Sequence, residues 1–488
     1  MNIRVGYNAF WNVLGSTLPL LAGVAAVPLL LHGLGNARLG VFTLAIGLIG
    51  FSGIFDLGLG RALTQMVASE QGKGTSSGAI AGLIRKALIA LFLLGLFWGA
   101  VLWWSAPFLV RRLLLLEDIL GQETIVGLHW IALSLPFALV SAGLLGIFEG
   151  LQRFVLINTI RVPLGTAFFM VPALIALGTP DIGAVIGALA ATRIAAFMIW
   201  MLALLRVFNL FESETDIRLH PGPLMRFSGW LTVSNIVGPL MVYADRFYLA
   251  SFFPPATVAF YTVPFDTAFR ATTLPLAAVN AMFPALAHTH SQPAQANPIV
   301  QSAGQFMLLL WFPPILVAML LAKEGLTLWL NQEFAEQAVL ILQWLLLGVF
   351  LNGFAHIPYA VLQSAGRADI TAKLHLLELP VYAGLIVGLV ASFGILGAAI
   401  AWTVRIILDT VLLFLLAMRV ENHHADGLYK TALLAVVGAF ILGVAMTIHL
   451  LVARWIIAAL VMLAATGIMW RFGIYLLPRL KENTGHAH

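Results

Sequence analysis

The sequence has no cysteine and few charged residues. Of its 488 residues, 10% are Asp, Glu, Lys or Arg, and none is Cys. The absence of Cys excludes disulfide bonds, thiolate metal ligands and thiol nucleophiles. The scarcity of charge excludes a soluble protein of this length, because soluble domains carry about 25% charged residues. The sequence also has neither a Walker A motif nor an HExxH motif, so we expect no ATP hydrolysis, no catalytic metal and no bound cofactor.

Apolar residues dominate what is present. They make up 61% of the chain, and the mean hydropathy is +0.98. Apolar runs of about 20 residues recur along the whole length, and each is long enough for a helix to cross a bilayer. The net charge of +5 would suggest nucleic acid in a soluble protein, but in a membrane protein excess Lys and Arg record topology. The sequence therefore predicts an all-α polytopic membrane protein in contact with lipid and not with nucleic acid.

About fourteen transmembrane helices are expected. The predicted spans are 9–31, 38–60, 86–108, 125–148, 155–177, 182–205, 224–251, 256–283, 300–322, 338–363, 374–393, 397–418, 431–451 and 455–477. Placing the N-terminus in the cytoplasm puts most of the 26 Lys and Arg residues in cytoplasmic connections, as the positive-inside rule requires. We therefore expect both termini to be cytoplasmic.

The chain contains a weak internal repeat. Shifted by 219 residues, Trp11 aligns with Trp230, and the segment 39–44 aligns with 258–263. Six helices separate the two copies, so both copies have the same orientation in the membrane. Parallel repeats of this kind are typical of transporters, whose substrate site lies between the two halves near the bilayer midplane.

Five arginines lie within predicted spans. One arginine facing lipid at a helix centre costs about 2.5–3.5 kcal/mol, so these side chains are expected to face the protein interior, acids or water. Arg270 shares a helix face with Asp266, and Arg405 with Asp409, because each pair is four residues apart. The other three arginines, two of which have no acid in their own helix, are Arg161, Arg193 and Arg246.

Polar residues also follow whole helix faces. Asn12, Asn235 and Thr262 lie on such faces in the first, seventh and eighth spans, which favours a water-filled cavity over isolated bridges between helices. Arginine in a cavity favours an anion, since its forked donor matches phosphate oxygens. Acids that would balance the empty site, or carry a coupling H⁺ or Na⁺, are Asp56, Asp245, Asp266, Glu378 and Asp409. Glu378 is the most isolated of these in sequence.

Several short motifs resemble one family. The order and spacing of these motifs are similar to those of the polysaccharide transporter branch of the multidrug/oligosaccharidyl-lipid/polysaccharide flippase superfamily. The matching residues are Asn8 with Trp11, Phe55-Asp56-Leu57-Gly58-Leu59-Gly60, Gly150-Leu151-Gln152-Arg153-Phe154, and Tyr243-Ala244-Asp245-Arg246-Phe247.

The resemblance implies both an architecture and an activity. The architecture is two six-helix lobes in a V, at 1–206 and 224–418, with a cytoplasmic linker at 207–223 and two further helices within 419–488. The implied activity is not enzymatic. It is translocation of an undecaprenyl-diphosphate-linked oligosaccharide, such as an O-antigen repeat unit, to the outer leaflet of a bacterial inner membrane by alternating access.

The resemblance also implies partners and leaves alternatives open. A polysaccharide polymerase or ligase is the expected partner of such a flippase. We expect the glycolipid to be bound by Arg161, Arg193, Arg270, Arg246, Arg405, Asn12, Asn235 and Thr262. One alternative is a cation-coupled multidrug exporter of the same superfamily, and another is a membrane-bound glycan polymerase or ligase.

Overall fold

The structure is a computed structural model, and it describes residues 3–56, 58–73, 75–116, 118–208, 237–288, 296–421 and 424–484. These residues are almost entirely helical, and no strand occurs among them, which confirms the all-α prediction. The helices are α1 (Ile3–Gly50), α2 (Ser52–Phe55), α3 (Leu59–Gly72), α4 (Ser77–Phe108), a π-helix (Leu109–Leu113), α5 (Asp118–Gly150), α6 (Phe154–Gly178), α7 (Ile182–Leu205), α8 (described over 237–250), α9 (Pro255–Arg270), α10 (Thr273–His288), α11 (Ala296–Leu320), α12 (Ala322–Trp329), α13 (Gln332–Ser364), α14 (Ala368–Phe393), α15 (Ile395–Val420), α16 (Ala425–Met446) and α17 (Leu451–Thr484).

Gly35 divides α1 into two helical halves. Its φ of 70° and ψ of 174° lie in a region that is essentially restricted to glycine. The first two predicted spans are therefore these two halves, joined with almost no loop between them. The second half ends at Gly50, ten residues earlier than the predicted 38–60, and α2 and α3 continue from there.

Ten helices in the described ranges are long and apolar enough to cross a membrane. The chain is therefore a multi-pass membrane protein. Four predicted spans have no separate helix among these ten. One is the second half of α1, which is counted together with the first half, and the others are α8, the α9–α10 pair interrupted at 271–272, and α17.

The described contacts form two compact units, Met1–Val263 and Pro264–His488, whose division falls inside α9. In the first unit α5 packs against α3, α4 and α7, and in the second α13 packs against α11 and α15. α5 and α13 are the fourth and tenth predicted spans, so the same packing recurs six spans apart, as the repeat requires. Except for 207 and 208, the predicted linker lies outside the described residues, and the lobe boundaries remain a prediction.

Small residues bring the central helices close together. A Cβ built on Gly95 of α4 would lie 2.4 Å from the Cα of Pro136 in α5, and one on Gly99 would lie 2.7 Å from the Ala132 carbonyl oxygen. Membrane helices associate through such backbone approaches, because lipid supplies no hydrophobic driving force. This glycine pair therefore fixes how α4 lies on α5.

Candidate functional site

Two buried threonines join α1 to α9. The Oγ1 atoms of Thr43 and Thr262 are 2.7 Å apart, and both side chains are buried. Thr43 Oγ1 also lies 2.8 Å from the Gly40 carbonyl oxygen, and Thr262 Oγ1 lies 3.1 Å from that of Val258. Two hydroxyl protons serve these three short contacts, so one threonine donates to the other while its partner donates to its own helix.

A tyrosine–aspartate pair lies next to this contact. The hydroxyl of Tyr261 donates to Asp245, and both residues are buried. Asp245 also accepts the backbone N–H of Arg246 at 2.8 Å. The side chain of Arg246 is completely buried, and its Cζ atom lies 4.8 Å from the centre of the Tyr243 ring. Burying a guanidinium costs free energy unless favourable contacts compensate for it. The aromatic face of Tyr243 supplies part of this compensation.

Two glycines of α1 make room for these side chains of α8. A Cβ on Gly47 would lie 3.2 Å from Cδ of Arg246, and one on Gly50 would lie 2.4 Å from Cε2 of Tyr243. Phe51 then packs on Tyr243, with ring centres 5.8 Å apart. The second half of α1 and α8 therefore lie in close contact where the buried charges are.

Arg193 lies near the middle of α7 and is half-buried. Its Nη1 donates to Ser134 Oγ of α5 at 3.4 Å. No ion pair with a carboxylate forms at Arg193 within the described part of the chain. Most of its N–H donors therefore have no acceptor among the described residues.

Arg161 lies on α6 and is exposed. It is one turn before Gly165, which approaches the side chain of Pro19 in α1, so Arg161 shares the face of α6 that packs against α1. Lipid exposure at this position would be costly. A water-accessible surface beside α1 suits an exposed arginine better.

The second unit contains a buried charge cluster between α14 and α15. Arg405 Nη1 lies 3.6 Å from Glu378 Oε2, and His375 Nε2 lies 3.7 Å from Asp409 Oδ1. Arg405, Glu378 and Asp409 are all buried. The Arg405 guanidinium also stands 5.3 Å from the centre of the Tyr382 ring.

This cluster changes two sequence-based interpretations. Glu378 is not isolated, because it lies beside both Arg405 and Asp409. Arg405 also reaches Glu378 on the neighbouring helix, a contact that the i, i+4 spacing with Asp409 did not suggest. The cluster thus brings two carboxylates, one guanidinium and one imidazole together.

The remaining predicted residues fall into three groups. Asp266 and Arg270 are half-buried on one face of α9, close to its end. Asn235 and the side chain of Asn12 lie outside the described residues. Asp56 accepts the backbone N–H of Gly58 at 2.8 Å, and Gly58 has a φ of 77°. Asp56 therefore stabilises the turn into α3, and its contact explains the Asp-Leu-Gly motif.

Sequence reasoning missed the neutral partners of the charges. These are Tyr261, Ser134, Tyr382 and His375. Each lies on a different helix, or in a different turn, from the charge it contacts. A tyrosine one residue before the polar Thr262 was the one available signal.

The sequence is similar to those of known proteins. The family described as "Polysaccharide biosynthesis protein" matches residues 5–290. A Shigella flexneri protein named "Putative O-antigen transporter" is 28% identical over 421 residues, which cover 83% of this chain and 96% of that protein.

Solved structures show the same fold. An inward-facing multidrug resistance MATE transporter of the MOP superfamily matches with a TM-score of 0.71 at 14% identity, covering 84% of this chain and 98% of that chain. Lipid II flippase MurJ in an inward closed conformation matches with a TM-score of 0.68 at 13% identity, covering 96% and 99%. Since the family match spans more than half of the sequence, the chain belongs to the polysaccharide biosynthesis protein family.

Proposed function

We propose that this protein is a flippase for undecaprenyl-diphosphate-linked oligosaccharides, such as O-antigen repeat units. It moves the lipid-linked glycan from the cytoplasmic to the outer leaflet of a bacterial inner membrane. Family membership and the similarity to the Shigella flexneri protein support this substrate class. The observation that carries the proposal is Arg193, a guanidinium in the middle of a membrane helix whose described partner is a neutral hydroxyl.

A diphosphate is the group that Arg193 would bind. Guanidinium groups bind phosphate oxygens with two parallel hydrogen bonds, and these bonds are stronger where water is excluded. Arg161 and Arg270 would contact the same anion as it passes, and Thr262 and the two asparagines at 12 and 235 would line its route. These arginines would repel a cationic drug, so they favour a glycolipid over a cationic drug as the substrate.

Transport would proceed by alternating access. The buried contacts between Thr43 and Thr262 and between Tyr261 and Asp245 join α9 to α1 and to α8. They would separate when the glycolipid leaves. Since no bond of the substrate is made or broken, the proposed activity is not enzymatic.

A cation gradient would drive the cycle. Glu378 and Asp409 place two carboxylates beside the one guanidinium of Arg405. One H⁺ or Na⁺ bound there would balance the second carboxylate, because a buried unbalanced charge is costly. Asp245 and Asp266 would balance the arginines when no substrate is bound. Both termini would lie in the cytoplasm, as the distribution of Lys and Arg predicts, and a polymerase or ligase would receive the product on the other side.

The test uses purified protein in sealed vesicles that contain a fluorescent undecaprenyl-diphosphate oligosaccharide. An impermeant quencher in the outer solution reports the fraction of glycolipid that reaches the outer leaflet. We expect protein-dependent exposure of the glycolipid, with no efflux of cationic dyes and no cleavage of the glycan. Dye efflux without glycolipid movement would favour a drug exporter, and new glycan bonds would favour an enzyme.

A further inference from the structure

The first unit contains an apolar cavity that the proposed transport route does not use. It has a volume of about 230 Å³ and is partly open, and its walls come from the second half of α1, the π-helix, α5, α7 and α8. Its wall residues include Leu44, Ala45, Leu48, Leu113, Leu128 and Ile186. The one polar wall residue is Thr124, whose hydroxyl donates to the Leu120 carbonyl. The cavity therefore offers no free polar group, and apolar walls of this kind favour an apolar guest.

Two exposed arginines stand beside this cavity. Leu109, Leu113 and Leu114 line it, and Arg111 and Arg112 belong to the same π-helical turn and point outward. Val110, between Leu109 and Arg111, is completely buried and anchors the turn. π-Helical turns are rare and frequent at functional sites. The two exposed arginines thus belong to the same turn whose leucines line the apolar cavity.

The position of this pair in the membrane is unusual. By the charge distribution, the connection at 109–124 is predicted to lie on the outer side, where Arg and Lys are scarce. Topology therefore gives no reason for two adjacent arginines there. A role in binding an anion at the level of the outer headgroups would give one.

We propose that the cavity and the Arg111–Arg112 pair form a binding site for a polyprenyl diphosphate lipid in the outer leaflet. The diphosphate contacts the two guanidinium groups, and a short stretch of the prenyl chain occupies the cavity. Arg193 does not line this cavity. The site would hold the lipid after translocation, so the inference rests on the proposed function for its substrate. The site would select polyprenyl diphosphate lipids, because only a molecule with both an anionic headgroup and an apolar chain fills both of its parts.

A local test uses the absence of Cys in the native chain. The Leu113→Cys variant places one thiol at the mouth of the cavity, and its alkylation rate by a maleimide is measured in phosphatidylcholine nanodiscs. Added undecaprenyl diphosphate is expected to slow alkylation at least fivefold. Inorganic diphosphate alone is expected to give no protection. The Leu433→Cys variant, whose side chain is exposed in α16, is the control that the lipid should not protect.

Two further changes separate the two parts of the site. Protection of the Leu113→Cys variant should be lost when Arg111→Gln and Arg112→Gln are added, or when Ala45→Leu fills the cavity. The matched controls are Arg153→Gln with Arg206→Gln, which removes two other exposed charges, and Ala90→Leu on an exposed face of α4. Both controls should keep the protection.

Three outcomes would overturn the proposal. The first is protection that survives both changes, and the second is an equal effect of phosphatidylglycerol, which would make the site one for ordinary anionic phospholipids. The third is the absence of any protection by undecaprenyl diphosphate. The vesicle transport assay on the Cys-free protein distinguishes the causes. If glycolipid movement is normal, any of these outcomes rejects only the proposed site. If there is no movement, the proposed function is rejected as well.

Discussion

Thr43 and Thr262 are 219 residues apart and touch through their side-chain oxygens. The same 219-residue offset aligns the segments 39–44 and 258–263 of the sequence. The contact therefore joins two positions that the predicted repeat makes equivalent.

This contact should open during transport. In the double variant Thr43→Cys/Thr262→Cys, the sulfur atoms would replace oxygens 2.7 Å apart, close to the disulfide length of about 2.05 Å. We expect oxidation to form the disulfide, to stop glycolipid movement, and to be reversed by a reductant. Each single variant, oxidised in the same way, is the control. Full transport by the cross-linked protein would show that these helices do not separate.

Asp56 is expected to act through the turn at Gly58 and not through a bound ion. Asp56→Asn keeps an oxygen that accepts the Gly58 N–H, so it should leave transport and stability close to those of the wild type. Asp56→Ala loses the hydrogen bond and should lower the free energy of unfolding by about 1 kcal/mol. Denaturant unfolding in detergent and the vesicle assay measure the two effects. Loss of transport in a stable Asp56→Asn variant would instead support a role of this carboxylate in balancing charge or binding the coupling ion.

The buried pair of Arg405 and Glu378 should be important for stability. Arg405→Gln leaves Glu378 and Asp409 buried together without their guanidinium, and breaking a buried ion pair costs about 3–5 kcal/mol. The double variant Arg405→Gln/Glu378→Gln removes one negative charge as well and should recover part of that loss. Thermal unfolding of the purified proteins tests this order. Equal stability of the single variant and the wild type would contradict it.

Glu378 should also link transport to a cation gradient. Glu378→Gln removes the charge that the extra H⁺ or Na⁺ would balance, so glycolipid movement should become insensitive to imposed pH or Na⁺ gradients. Initial rates are compared in vesicles with each gradient and with none. Glu149→Gln, at an exposed position of α5, is the matched control and should respond as the wild type does. An undiminished response of Glu378→Gln would exclude this cluster from coupling.

Features that depend on one continuous segment of the chain could be predicted from the sequence. Hydropathy located the apolar helices, and Gly35 falls in the short connection predicted between the first two spans. Each of these depends on neighbouring residues in the chain, and such residues are visible in the sequence.

Contacts between helices could not be predicted in the same way. The i, i+4 spacing places Asp409 on the helix face of Arg405, but it gives no sign of the contact between Arg405 and Glu378 on the next helix. Helix packing decides which faces meet, and glycines such as Gly47 and Gly50 allow the approach without any pattern of their own. The apolar cavity beside Arg111 was equally invisible, because its walls come from five separate elements.

The most direct measurement compares the initial rate of glycolipid movement in sealed vesicles for the wild type, Arg193→Gln, Arg193→Lys and Arg206→Gln. Arg206 is exposed beyond the end of α7, so its variant removes one charge of the same helix outside the membrane core. We expect Arg193→Gln to lower the rate at least tenfold, which corresponds to about 1.4 kcal/mol, because the diphosphate loses its cation in the middle of the membrane. Arg193→Lys should keep part of the rate, and Arg206→Gln should match the wild type. Wild-type transport by a folded Arg193→Gln protein would contradict a diphosphate site at this arginine.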